Sequence, residues 1–498
     1  MPRSFRRQTS AGSIEPAREP EAESSPGIAA KMSSFNIVIV GGGAAGAFLA
    51  LALGDRLAGR CRIRMFDRHG RFGRGVAYSA PAPWHRLNIP AAKMGGRNDG
   101  DPNGFVDWLI RRGHLRPGDY AGSFVPRALY GDYLCELLAE VATAGTLAMR
   151  HGAVIAVEPR AHGYTVRTDT AEEMDGDVVA LCLGNPPPPP FAAVPASERW
   201  VGDPWRPGAL ARIAPQDDVL LIGSGATAVD VALDLVHRGV GRRIVMLSRK
   251  GLLPRSDAAP VAYSGLEHLD LVAPSMRGLT RLLRSEIERA AAKGIPWQSV
   301  LDAFRVHLVP VWARSDEAEQ RRFLRHLRSV WLVHRHRLAP DVADLLSRLQ
   351  SDAVLSVIAG RLVEAHPVAA GYRAVIAERA GGARAVTADW IVNCAGPEEN
   401  YRRLADPLVQ HLFAAGRARP GPLQLGLDVD DCGLLLTREG RPQHGLYVLG
   451  PPTRGRFWEI TAAPWIRTRA ASMAEHVAAM KHASEGRRVG SSPASADL

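Results

Sequence analysis

Residues Phe35–Gly46 read FNIVIVGGGAAG, an apolar run of strand type that continues directly into a glycine-rich turn. Residues Ala44–Leu53, which begin within this turn, have the alanine- and leucine-rich composition of a buried helix. In such a strand–turn–helix unit the first glycine permits the tight turn, the second lets the backbone approach a pyrophosphate, and the third position lets helix and strand pack closely. The stretch predicts a dinucleotide site whose glycine contacts are Gly41, Gly43 and Gly46.

The same pattern returns later in the chain. Asp218–Ile222 is a second apolar strand, and GSGATA at Gly223–Ala228 connects it to a helix predicted over Ala226–His237. A single motif of this kind is weakly specific, because glycine turns are common, whereas two in the same context indicate two dinucleotide sites. The predicted contacts of the second site are Gly223, Gly225, Thr227 and Ala228. The predicted fold class is α/β, with two Rossmann-like dinucleotide-binding domains and a helical insertion.

The residues after each unit assign the nucleotides. The strand after the first helix ends in Asp67, a carboxylate suited to an unphosphorylated ribose diol, as in FAD. The strand after the second helix ends in Ser248, Arg249 and Lys250, which would accept a 2′-phosphate. We therefore expect FAD at the first site and NADPH, in preference to NADH, at the second. The alternative for Arg249 and Lys250 is that they are solvated loop charges.

Further segments carry predicted FAD contacts. The glycines in FGRGVAYS at Phe72–Ser79 would let the backbone approach the pyrophosphate, and HRLNIPAAKM at His85–Met94 would meet the isoalloxazine ring, unless it is only a surface loop. Two buried strands end in glycine, at Gly184 and at Gly396, where the chain must pass close to a bulky group. The N-terminus of the last long helix could stabilise negative charge on reduced flavin. The predicted contacts from these segments are Gly73, Gly75, Asn88, Met94, Gly184, Gly450 and Thr461.

Composition shifts along the chain predict its organisation. Five prolines at Pro186–Pro190 make a stiff crossing between domains, and amphipathic helical patterns predict an insertion over about 275–350 that covers the active-site cleft. The predicted parts are a disordered tail at 1–33, the first part of the FAD domain at 34–215, the NAD(P)H domain at 216–384, the return of the FAD domain at 385–482 and a loose tail at 483–498.

Composition also excludes several classes of function. The 498 residues carry a formal charge of +11, but the cations are scattered, so we expect no nucleic-acid partner. The five cysteines have no metal-binding or redox-pair spacing, which favours a reducing cytoplasm. VHRHR at Val333–Arg337 lacks companion ligands and is read as an anion-binding or solvated helix end, so no metal is predicted. No apolar run is long enough to span a membrane.

These motifs together resemble a group of FAD/NAD(P)-binding proteins that includes HpyO-type FAD-dependent urate hydroxylases and CreE-type L-aspartate N-monooxygenases. The resemblance is carried by VIVGGGAAGA, GRGVAYS, HRLNIP, LLIGSGATAVD and WEITA, the last at Trp458–Ala462. One departure is that Pro451 and Pro452 follow Gly450, where many two-dinucleotide flavoproteins have an Asp that binds the ribityl chain. The length of the chain is closer to the urate hydroxylases.

The resemblance implies a monooxygenase that uses NAD(P)H, O₂ and a flavin C4a-hydroperoxide to hydroxylate a small molecule. Urate, giving 5-hydroxyisourate in purine metabolism, is the expected substrate; L-aspartate, giving nitrosuccinate, is the alternative. No catalytic acid or base can be named, and the oligomeric state stays open. Other classes are a flavin reductase without oxygenase activity and a flavin-binding regulatory or interaction protein. A disulfide reductase would need a redox cysteine pair, which the spacing does not provide.

Overall fold

The computed structural model describes residues 35–489, apart from 81, 98–100, 102, 120–121, 260 and 272–274, with the side chains of 484–489 also left out. The predicted tail at 1–33 lies outside the described residues. The strands are β1 Phe35–Val40, β2 Cys61–Asp67, β3 Leu147–His151, β4 Val154–Pro159, β5 Tyr164–Thr168, β6 Glu173–Gly176, β7 Val178–Leu181, β8 Trp200–Val201, β9 Asp218–Ile222, β10 Arg243–Ser248, β11 Leu355–Val368, β12 Gly371–Glu378, β13 Ala383–Ala388, β14 Trp390–Asn393, β15 Leu434–Leu436 and β16 Pro442–Val448. The helices are α1 Ala44–Leu57, α2 Gly104–Arg111, α3 Arg127–Thr143, α4 Ala226–His237, α5 Met276–Ala291, α6 Trp297–Arg305, α7 Leu308–Arg314, α8 Glu317–His326, α9 Arg328–Arg335, α10 Pro340–Ser351, α11 Pro407–Ala414 and α12 Ala463–Val489.

The first sheet is built around β1. Its order is β15-β16-β7-β1-β2-β3, and β1 pairs in parallel with both β2 and β7. A central parallel strand is covered on both faces, which is why Ile37–Val40 are all buried although they follow one another in sequence. Helices α1 and α12 pack together against this sheet's core. A separate three-stranded antiparallel sheet, β4-β5-β6, follows β3.

The second sheet repeats the parallel arrangement around β9. Its order is β13-β12-β11-β10-β9-β14-β8, with β9 parallel to β10 and β14. Two strands of this sheet, β8 and β14, lie outside the predicted 216–384 segment. Strand β14 joins the sheet by pairing with β9, which is distant in sequence. The domain boundaries themselves stay predictions.

The two glycine turns are formed in the same way. Gly41 has φ +107°, and a Cβ there would lie 2.2 Å from the Cys182 carbonyl oxygen, just after β7. Gly223 has φ +127°, and a Cβ there would lie 2.3 Å from the Cys394 carbonyl oxygen, just after β14. Each turn therefore requires glycine because the neighbouring strand's backbone passes against it. A Cβ on Gly184 or Gly396 would meet no atom of the described residues within 4 Å, so the close approach of a bulky group at these two glycines stays a prediction.

The predicted insertion is helical. Helices α5 to α10 occupy Met276–Ser351, in agreement with the amphipathic pattern over about 275–350. The proline run passes beside the end of β14, where Asn393 Nδ2 donates to the Pro189 carbonyl over 2.9 Å. No helix among the described residues has the length and apolarity needed for a membrane crossing.

The last helix extends into the predicted loose tail. Trp458–Ala462 form turns, and α12 begins at Ala463 and continues to Val489. The predicted loose tail from 483 therefore begins inside a helix, and only 490–498 fall outside the described residues.

Candidate functional site

The first glycine turn presents an uncapped helix end. Gly43 is the N-cap of α1, no side chain caps it, and the first turn carries no acidic residue, so its N–H groups remain available to an anion. The segment Gly73–Gly75 lies directly against this turn. The Gly73 N–H donates to the Gly42 carbonyl over 2.8 Å, and a Cβ on Gly43 would lie 3.3 Å from the Gly75 Cα. Gly46 closes the turn, since a Cβ there would lie 2.1 Å from the Gly41 carbonyl oxygen.

Asp67 is held at the edge of this turn. Its Oδ2 accepts from the Gly42 N–H over 3.1 Å, and its Oδ1 accepts from the N–H groups of His69 and Arg71 over 2.9 and 3.1 Å. These three backbone donors orient the carboxylate, and a carboxylate has further lone pairs for a ribose diol. The predicted ribose contact is therefore beside the predicted pyrophosphate contact.

Residues from the end of the chain reach the same region. A Cβ on Gly450 would lie 3.3 Å from the Cβ of Ala45 in α1. A small cavity of 20 Å³ is bordered by Asn185, which follows Gly184, by Pro451, which follows Gly450, and by Thr461. The structure thus brings together the segments that carry Gly184, Gly450 and Thr461, which are far apart in sequence.

The segment His85–Met94 divides between two environments. His85 is buried, and its Nε2 lies 3.1 Å from the Asp230 carbonyl oxygen in α4, while Trp84 stacks on His237 at the end of the same helix. Asn88 is exposed, and Met94 is buried in the core of the first sheet. No hydrogen bond among the described residues links Asn88 or Met94 to the first glycine turn, so their contact with a flavin stays a prediction.

The second glycine turn also leaves a helix end open. Gly225 is the N-cap of α4, with no capping side chain and no acidic residue in the first turn. It has φ −85°, and within the described residues nothing lies within 4 Å of a Cβ placed there. Thr227 and Ala228 follow in the first turn of α4. A helix of 12 residues with an open N-terminus and no side chain at its cap is suited to a phosphate.

The predicted 2′-phosphate residues lie beside this turn. Ser224 Oγ donates to Ser248 Oγ over 2.7 Å, and the Gly251 N–H donates to the same hydroxyl over 3.1 Å, so Ser248 helps to shape the loop. Arg249 is exposed. Lys250 Nζ donates to the His326 carbonyl at the end of α8 over 2.6 Å, which turns this ammonium toward the insertion.

A largely buried ion pair links helix α3 to helix α4. Arg127, at the start of α3, donates to both carboxylate oxygens of Asp230 over 3.0 and 2.9 Å. Their side chains are 18% and 10% exposed. The sequence analysis did not predict that Arg127 and Asp230 form an ion pair. Asp230 ends the stretch LLIGSGATAVD and could have been noticed there, but nothing in the sequence marks Arg127 as its partner.

A second charge network ties the insertion to the segment before α12. Glu459 Oε2 accepts from Arg335 Nε over 2.6 Å and from Arg305 Nη2 over 3.2 Å, and Arg335 Nη2 donates to Thr461 Oγ1 over 3.0 Å. Burial alone would raise the pKa of Glu459, but the charges of Arg335 and Arg305 outweigh it and hold that pKa below its usual value. The carboxylate therefore stays ionised in the interior.

This network corrects the prediction of a solvated helix end at Val333–Arg337. Arg335 and Arg337 are 7% and 3% exposed, and they pair with Glu459, Asp302 and Asp257. The residues do bind anions, but the anions are carboxylates of the chain itself. No cluster of metal ligands is found in the described part of the chain, and its five cysteines are unpaired.

A larger cavity of 340 Å³ lies between the segment after β2 and the insertion. Its lining residues include Pro90 and Lys93 from that segment and Asp257, Tyr263, Gln298 and Asp302 from the insertion and the loop before it. A volume in the range of about 300–1,000 Å³ is typical of small-molecule sites. In the sequence, Lys93 belongs to the segment predicted to meet the flavin, and no motif marks Asp257 or Asp302 as site residues.

Residues 38–186 match a family model described as FAD-NAD(P)-binding. The match includes the first glycine turn, Asp67, Gly73, Gly75 and Gly184. The cofactors named in that description are those predicted from the two glycine motifs. No curated protein matches the sequence.

Solved structures of similar fold include several flavin-dependent hydroxylases. An ornithine N-hydroxylase of Kutzneria sp. 744, in a structure named for reduced FAD, NADP⁺ and L-ornithine, has a TM-score of 0.61 at 16% identity, over 90% of this chain and 100% of that chain. The ornithine hydroxylase PvdA of Pseudomonas aeruginosa has a TM-score of 0.59 at 17% identity, over 89% and 98%. The FAD-bound cadaverine monooxygenase DfoA of Erwinia amylovora has a TM-score of 0.60 at 13% identity, over 90% and 95%. These likenesses confirm the predicted fold class.

Proposed function

We propose that this protein is an FAD-dependent, NAD(P)H-consuming monooxygenase that acts on a small nitrogen-containing molecule. The observation that carries the proposal is the pair of glycine turns, each with an open, uncapped helix N-terminus, within one compact unit. One turn has a ribose-type carboxylate beside it, and the other has cations. Two different dinucleotides in one enzyme are what hydride transfer from a nicotinamide to a flavin requires.

The residues around the first turn fit FAD. The N–H groups of α1 would hold its pyrophosphate, Asp67 its adenosine ribose, and the Gly73–Gly75 backbone would lie along the phosphates because no side chain blocks the approach. Bound there, FAD supplies the chemistry that accepts hydride and activates O₂. The balanced reaction is substrate, O₂, NAD(P)H and a proton giving hydroxylated substrate, NAD(P)⁺ and water.

The chain's own residues would orient the reactants and exclude water. Helices α6 to α9 contact the segment that leads to α12 through Arg305, Trp312, Phe323 and Arg335. A dry, closed site prevents loss of the reactive oxygen species as peroxide. The geometry designates no side chain as a catalytic acid or base.

Two substrates follow from the sequence resemblance. Urate would be hydroxylated at C5 to 5-hydroxyisourate, and L-aspartate would be oxidised at nitrogen toward nitrosuccinate. The structures of similar fold that are named for ornithine and cadaverine support an amine nitrogen as the acceptor of oxygen. Urate and a small amine are therefore the two classes to compare directly.

The test uses the purified full chain with FAD added. We expect a yellow protein that oxidises NADPH faster when its substrate is present, with O₂ uptake equal to product formed and one atom of ¹⁸O₂ in the product. NADPH oxidation without label in any product, but with reduction of an added quinone, would instead identify a reductase. A colourless protein that cannot take up FAD would contradict the proposal. It would also contradict the alternative of a flavin-binding regulatory protein.

A further inference from the structure

The 340 Å³ cavity carries charges of both signs. Lys93 Nζ lies 2.9 Å from Asp302 Oδ2, and Arg337 Nη2 lies 2.6 Å from Asp302 Oδ1. Both oxygens of Asp302 are therefore engaged by cations of the chain. Lys93 is 45% exposed and has three N–H donors, so it can bind a second anion beside Asp302.

The negative charge of Asp257 is less fully compensated than that of Asp302. Arg337 Nε lies 3.1 Å from its Oδ1, and the Ala258 N–H donates to the same oxygen over 3.0 Å. Among the described residues both of these contacts of the carboxylate end on Oδ1, which leaves Oδ2 for a ligand. Burial raises the pKa of Asp257, and the partial charge compensation by Arg337 does not bring it back to its usual value.

Gln298 also lines the cavity. Its Nε2 donates to the Ser256 carbonyl over 3.1 Å, which ties this side chain to the segment that carries Asp257. The unengaged Oδ2 of Asp257 therefore favours a positively charged nitrogen in the cavity.

We propose that this cavity binds a small primary amine that also carries one acidic group, with the ammonium at Asp257 and the acidic group at Lys93. This assignment rests on the proposed monooxygenase function, for which it names the substrate class. The cavity offers one ammonium to anions and one incompletely compensated carboxylate to cations. Urate has no ammonium group, and L-aspartate has two carboxylates, so each matches the cavity less well than an amine with a single acidic group.

The test measures binding directly, by isothermal titration calorimetry of the full chain with FAD added. The probe is 5-aminopentanoate, and the matched controls are pentanoate, which lacks the amine, and 1-aminopentane, which lacks the acid. Because each charged hydrogen bond contributes appreciably, the probe should bind about tenfold tighter, or more, than either control. Equal affinities, or tighter binding of urate or L-aspartate, would overturn the proposal.

Variants locate the site. Asp257→Asn and Lys93→Met should each weaken binding of 5-aminopentanoate by about tenfold or more, while Glu317→Gln, on the exposed surface of α8, should not change it. Ala262→Trp, at an exposed position of the lining, should obstruct the cavity without altering its charge. Unchanged affinity in both Asp257→Asn and Ala262→Trp would overturn the assignment. Binding without turnover would contradict the monooxygenase proposal alone, and turnover of urate without amine binding would contradict this one alone.

Discussion

Arg127 and Asp230 form an ion pair in which one guanidinium nitrogen lies 3.0 and 2.9 Å from the two carboxylate oxygens. Arg127 begins α3, which packs beside the first glycine turn's helix α1, and Asp230 lies in the helix of the second turn. The pair therefore links the two predicted dinucleotide sites.

Removing one partner of this pair should destabilise the protein. Asp230→Asn or Arg127→Met leaves a largely buried charge uncompensated, and each should lower the free energy of unfolding by roughly 3 kcal/mol. Urea denaturation measures the change. The double variant should lose less than the sum of the two, and additive losses would mean that the pair does not interact. Glu198→Gln, in the exposed pair with Arg212, should have no measurable effect.

The glycines of the second turn should separate folding from nucleotide binding. Gly223→Ala places a Cβ 2.3 Å from the Cys394 carbonyl oxygen, so we expect misfolding or loss of soluble protein. Gly225→Ala meets no atom among the described residues within 4 Å, so its melting temperature should match the wild type. It should nevertheless raise the KM for NADPH, because the added methyl group occupies the approach of the pyrophosphate. An unchanged KM would contradict phosphate binding at this turn.

Arg249 and Lys250 should distinguish NADPH from NADH. If they bind a 2′-phosphate, Arg249→Ala should raise the KM for NADPH by roughly tenfold or more and leave that for NADH nearly unchanged. Lys250→Ala should have a smaller effect, because this ammonium already donates to the His326 carbonyl. Lys293→Ala, at an exposed position after α5, is the control. Equal changes for the two nucleotides would contradict the role in phosphate binding.

His336 should make stability depend on pH. Burial, together with the charges of Arg335, Arg454 and Arg305, holds the pKa of His336 well below its usual value, and its Nε2 accepts from Arg335 Nη1. As pH falls below about 6.5, the unfolded chain binds a proton that the folded chain does not, so stability falls by up to about 1.4 kcal/mol per pH unit. Above that pH the contribution is fully present.

The measurement for His336 is the free energy of unfolding between about pH 7 and about pH 5. The slope should be shallower in His336→Gln, which cannot take up the proton, by about one proton per molecule. Identical slopes in wild type and His336→Gln would show that this histidine is protonated equally in both states.

The local units were predictable to the residue. Strands β1 and β9 and helix α4 have the bounds expected from sequence, because a buried apolar run and a glycine turn are read within about a dozen neighbouring residues. The position of Asp67 was predictable for the same reason, and the structure places it at the turn. The pairing of β14 with β9 was not predictable in this way, because it joins strands far apart in sequence.

The charged residues show most clearly which features of the structure the sequence does not predict. A sequence rich in arginine does not reveal which arginines are buried, and Arg335 was expected at a solvated helix end because its partner Glu459 is remote in sequence. Asp257 and Asp302 give no sequence signal as site residues, because what distinguishes them is their position around a cavity shared with Lys93.

The sequence alone determined the two strand–turn–helix units and their order, because glycine conformation, strand burial and helix ends depend on neighbouring residues. Only the tertiary structure decided which charges pair in the interior and where the 340 Å³ cavity lies. Those contacts join residues such as Arg335 and Glu459, which are 124 positions apart, and no local pattern of side chains specifies the distance between segments that meet only when the chain folds.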